Sequence, residues 1–86
     1  MKIKQGDIER LSFRARAIRE EVIRRLKAEV EDVAIRNRLT LLAGSVEIFT
    51  MKRVLHNVIQ YGTLELPVSR IGRSDRKKVL AIIDSL

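Results

Sequence analysis

Residues 8–36 read IERLSFRARAIREEVIRRLKAEVEDVAIR, and the fold depends on how that stretch is parsed. Neither glycine nor proline occurs from Ile8 to Ala43. Within it Ile8, Leu11, Ala15, Ile18, Val22, Leu26, Val30 and Val33 recur at steps of 3, 4, 3, 4, 4, 4 and 3. Side chains three and four apart share one helical face, so the spacing predicts an amphipathic helix. The extra steps of four bring the seam locally closer to an eleven-residue repeat than to a heptad. Asp7 after Gly6 is suited to cap the first turn. After Val33 the stripe fails, because Asn37 takes the next seam position and Arg36 falls on the same side; the helix is expected over about 7–36.

Downstream the punctuation is clearer. Leu39–Ala43 either continues the helix after a kink or forms a packed turn, and Gly44 then interrupts. Ser45 is a plausible cap for a second helix over about 45–61, whose apolar face is Ile48, Met51, Val54, Leu55, Val58 and Ile59, with Gly62 closing it. Residues 63–73, which include Pro67, read as an extended connector. Ser74 or Asp75 caps a third helix over about 75–85 with Val79, Leu80, Ile82, Ile83 and Leu86 on its face. The expectation is an all-α single domain: one long N-terminal amphipathic helix plus two shorter ones.

Length then bears on assembly. A helix of thirty residues spans about 45 Å, whereas a globule of 86 residues has a radius of gyration near ~12 Å. Two short helices cannot cover such a stripe, so the bundle is expected to be completed by oligomerisation, as a homodimer or as a subunit of a hetero-complex.

The chain carries 18 Lys and Arg against 11 Asp and Glu, a net charge of +7, and it has no cysteine. This composition excludes disulfide scaffolds and thiolate metal sites. No apolar run approaches the roughly 20 residues of a membrane span, and no signal-peptide pattern opens the chain, so a cytoplasmic protein with no membrane association is expected.

Charge distribution says more than its sum. Residues 1–16 carry +3, residues 17–36 zero, residues 37–69 +1 and residues 70–86 +3. In the middle, Arg16–Glu20, Glu20–Arg24, Glu21–Arg25, Arg25–Glu29, Lys27–Glu31 and Asp32–Arg36 are all spaced i,i+4, as in a self-neutralising helix. The ends lack such partners. Arg70, Arg73, Ser74, Arg76, Lys77 and Lys78 form one candidate contact patch, and Lys2, Lys4, Arg10 and Arg14 a second. Around Gly72 the backbone could approach a phosphate, and the N–H groups opening the last helix suit an anion; Gly-x-Ser before a helix also serves as an ordinary capping turn.

Phe13 and Phe49 fall off the apolar stripes among cations, as interface anchors, base-stacking groups or seam residues. His56, the one histidine, projects with Phe49, Lys52 and Arg53 and has no partner for metal binding or a triad. Neither a paired-carboxylate arrangement nor a glycine-rich phosphate loop is visible, so no catalytic residue, metal or cofactor is expected.

Glu65-Leu66-Pro67-Val68-Ser69-Arg70-Ile71-Gly72-Arg73 resembles the segment that enters the first helix of archaeal histones. In that family a short–long–short trio of helices follows, whereas thirteen residues follow Arg73 here, so the resemblance stays with these nine residues and no roles are carried over. The expected function is that of a small, basic, non-catalytic nucleic-acid-binding protein, or an accessory subunit of a nucleic-acid-processing complex, contacting phosphates through its terminal clusters. The alternative is a helical interaction or dimerisation module that binds an acidic protein.

Overall fold

A computed structural model describes residues 5–86, with side chains from Phe13 onward. Its elements are α1 (Gln5–Glu29), α2 (Val33–Ser45), α3 (Ile48–Tyr61), a 3-10 turn at Val68–Arg70, and α4 (Arg73–Asp84). No strand forms among the described residues, so the all-α expectation holds. No helix among them is long and apolar enough to cross a membrane.

The helix expected over 7–36 is instead two helices, separated at Val30-Glu31-Asp32. Asp32 adopts an extended conformation (φ −71°, ψ 120°) and its carboxylate accepts from the Ile35 N–H at 3.1 Å, capping α2. A second carboxylate completes the break. Asp75, in the first turn of α4, accepts from the Glu31 N–H at 2.8 Å and from the Asp32 N–H at 3.2 Å. On the opposite side of the linker, Arg36 Nε donates to the Val30 carbonyl at 2.9 Å and its terminal nitrogen to that of Glu31 at 3.4 Å. Groups that a continuous helix would pair internally are thus paired by side chains, which lets the chain turn without orphaning them. Asp32 and Arg36, expected as an ion pair, both serve the backbone instead.

Other boundaries shift for similar local reasons. Residues 39–43 belong to α2, which buries Ile35, Leu39 and Ala43 at i, i+4, i+8. Ser45 does not cap the next helix: it ends α2, and its hydroxyl donates back to the Leu41 carbonyl at 2.8 Å. Glu47 opens α3 through its backbone carbonyl, without a side-chain bond. The connector folds into a tight loop in which the Thr63 and Leu66 backbones bond at 2.8 Å, burying Leu66 and Ile71. Gly72, rather than Ser74 or Asp75, occupies the cap of α4.

The core collects Val22 and Leu26 from α1, Val30 from the linker after it, three residues of α2, Met51, Leu55, Val58 and Ile59 from α3, and Val79, Ile82 and Ile83 from α4. Within the described part of the α1 stripe Val22 and Leu26 are buried and Ile18 is exposed; Val33 lies outside the helix and is also exposed. Helix α4 runs antiparallel to α1: its start bonds the residues just after α1, and Ser85, just past its end, accepts from Arg25 at 2.7 Å. Arg19 donates to the Val46 carbonyl at 2.6 Å, pinning the α2–α3 turn to α1. The molecule is elongated, 48 × 23 × 19 Å, with a radius of gyration of 14.3 Å.

Two predictions follow from the backbone. Asp75→Ala leaves two linker N–H groups without an acceptor and should cost about 2–3 kcal/mol, a fall in Tm of about 10–20 °C. Lys77→Ala, on the exposed side of the same helix, should stay within about 0.5 kcal/mol in the same thermal melts. Gly44, inside α2, and Gly62, at the end of α3, should diverge. Gly62 sits at φ +71°, where an added Cβ would lie 2.5 Å from the Val68 nitrogen, whereas one at Gly44 would meet nothing nearer than Ile23 Cδ1 at 4.0 Å. Gly62→Ala should therefore destabilise by about 2 kcal/mol or more, and Gly44→Ala should stabilise by about 0.5 kcal/mol, both read by denaturant unfolding.

Candidate functional site

The fold sorts the basic run at residues 70–78 into two groups. Arg73 and Lys77, one helical turn apart, are exposed on the outer face of α4, and Arg70 and Ser74 are exposed beside them. Arg76 is half-buried, and its Nε has no hydrogen-bond partner among the described residues. Lys78 is tied to Glu31 at 3.1 Å. The patch that faces outward is thus Arg70, Arg73, Ser74 and Lys77, smaller than the sequence suggests.

No carboxylate among the described residues lies within ion-pair distance of Arg70, Arg73 or Lys77; the bridges run Arg24–Glu21, Arg25–Glu29, Arg38–Glu65 and Lys78–Glu31. Asp32, Arg38 and Glu65 share a small crevice with Arg70, and there Glu65 is occupied by Arg38. Asp75 is the one acid in the first turn of α4, and at 5% exposure it is the one buried charged side chain among the described residues. Its carboxylate already sits in the positive field at the start of α4. The outward positive charge at this end is therefore that of Arg70, Arg73 and Lys77 more than that of the helix terminus. An added Cβ at Gly72 would meet nothing within 4 Å, so close backbone packing does not require the glycine.

At the other end, Lys2, Lys4 and Arg10 lie outside the residues with described side chains. Arg14 is exposed and stands with Lys52 of α3 beside an apolar groove lined by Ala15, Ile18, Ile48, Phe49, Met51 and Leu86, with a volume of about 400 Å³. Arg14 and Glu29 are about 22 Å apart along α1. Arg14, the described member of the second cluster, therefore lies at the opposite end of α1 from the α4 patch and is not brought together with it. Phe49 is 91% exposed and lines the groove. Phe13, 72% exposed, falls about 140° around α1 from Ile18 by helical spacing, away from it. Exposed Lys52, Arg53 and His56 continue the outer face of α3.

The central rod neutralises itself with partners different from those expected. Among the six anticipated i,i+4 pairs, Arg25–Glu29 forms at 3.0 Å, Glu21 takes Arg24 at i,i+3 instead, and Glu31 crosses to α4. The Arg24 hydrogen bonds hold the Glu21 carboxyl below its ordinary range. No group of three or more His, Asp or Glu among the described residues is placed to hold a metal.

Sequence reasoning missed the groove and the position of Lys52 beside it. Both depend on where α3 crosses α1, which no local spacing reveals. The inward turn of Asp75 had one signal, a lone acid within a run of five cations.

No protein-family model matches the chain, and neither a curated protein nor a solved structure matches it.

Proposed function

We propose that this chain is a small, basic, non-catalytic nucleic-acid-binding protein that grips phosphates at the start of α4. The observation supporting this reading is the exposure of Arg70, Arg73 and Lys77 together at one end, outside every ion pair of the described residues. Guanidinium and ammonium groups left to solvent can neutralise phosphates and displace the cations condensed on a nucleic acid, and affinity then comes from that counterion release with little base readout. Half-buried Arg76 and paired Lys78 contribute less. On this reading the protein works inside the cell as a subunit of a larger assembly, because Ile18 of α1 and Phe49 of α3 leave apolar surface exposed.

Fluorescence anisotropy on a mixed-sequence duplex tests the phosphate grip. Three phosphate contacts predict an affinity loss of about 40-fold between about 50 mM and 200 mM salt. Replacing Arg70, Arg73 and Lys77 with glutamine should flatten that dependence by nearly three in log–log slope and weaken binding equally across sequences. Stability should change by less than about 0.5 kcal/mol, since all three are exposed. Salt-indifferent binding, or a triple variant that binds like the parent, contradicts the reading.

A further inference from the structure

We infer that the groove between α1 and α3 seats an amphipathic helix of a partner protein, with apolar residues on one face and carboxylates on its flanks. The inference rests on the subunit reading above and names the partner's chemistry. Ala15 and Ile18 form one wall, Ile48, Phe49 and Met51 the other, and Leu86 closes one end. Arg14 and Lys52 are the charged residues of the lining, and no carboxylate lines it among the described residues.

Three features select the occupant. An open trough of this kind has no converging polar groups to orient a small molecule, which ligand pockets usually supply. It matches instead the geometry by which apolar residues at i, i+3, i+4 and i+7 of a helix enter a groove. Phe49, 91% exposed at its edge, is the kind of aromatic that anchors such contacts once water is excluded. The two cations make a lysine-flanked helix repulsive and a glutamate-flanked one attractive, and that complementarity also argues against a second copy of this chain, which carries a net charge of +7. The groove lies beside the middle of α1 and the end of α4, whereas the start of α4 docks just past the end of α1, so one chain could hold a nucleic acid at one end and a protein at the other.

The test uses the full chain and a fluorescein-labelled peptide of about 18 residues with leucines on one helical face and glutamates elsewhere. A shuffled peptide of equal composition and a version with lysine in place of glutamate serve as controls. The acidic amphipathic peptide should bind at least about tenfold tighter than the shuffled one, and the lysine version should not bind. Phe49→Ser should weaken the acidic peptide about tenfold and Lys52→Glu about fivefold. Circular dichroism should show both variants folded, since both side chains are exposed, and Phe49→Ser should keep its affinity for the duplex. Equal binding of the shuffled peptide, or indifference to Phe49→Ser, overturns the inference. Light scattering that shows a two-chain mass, reduced to one by Phe49→Ser, also overturns it while sparing the subunit reading. A one-chain mass with no peptide binding removes both.

Discussion

A single buried carboxylate organises this molecule. Asp75 leaves solvent at the start of α4 and accepts the N–H groups of Glu31 and Asp32 across the fold. An unpaired charge in that position would be costly, but two backbone donors and the start of α4 satisfy it. Asp32 caps α2 from the same linker, and Arg36 takes the linker carbonyls. Together these contacts convert what would be one rod into α1 and α2, and they dock α4 antiparallel to α1. Burial of Val30 in the linker, Ile35 in α2 and Val79 in α4 then follows from that placement.

The same contact shapes the electrostatics. By turning Asp75 inward, the fold removes the one acid from the basic first turns of α4 and leaves Arg73 and Lys77 facing outward. Glu31, released from Lys27 by the break in the helix, pairs with Lys78 and holds that lysine against the body. Structure and surface charge are therefore linked: the linker that makes the bundle compact at one end also decides which cations remain available. At the far end α3 meets α1 to leave an apolar trough beside Arg14 and Lys52. A neutral middle separates two positive ends.

Much of the helical class was legible because Val22, Leu26 and Val30 keep a four-residue step and all three are buried. Gly62 likewise announced the end of α3, since its backbone lies in the left-handed region that glycine tolerates. The break after Glu29 was not legible. Val33 continues the apparent stripe by one more step, and Asp32 looks like half of an ion pair until Asp75, 43 residues away, is seen to bond its N–H. Ser45 failed as a cap because its hydroxyl reaches back to its own helix, a competition that serine offers wherever it ends a turn. On the candidate site, Arg73 and Lys77 were read as exposed cations on local grounds. The fates of Arg76 and Lys78 depend on contacts with the α1–α2 linker and with the half-buried face of α4, which are non-local.

The most direct test of the Asp75 contact is amide hydrogen exchange at Glu31 and Asp32. These N–H groups lie outside any helix, yet the account predicts protection close to that of the core amides of α1, and its selective loss in Asp75→Ala, which removes both acceptors. Exchange at Glu31 and Asp32 as fast as in the exposed loop around Leu64, with Asp75 intact, would contradict it.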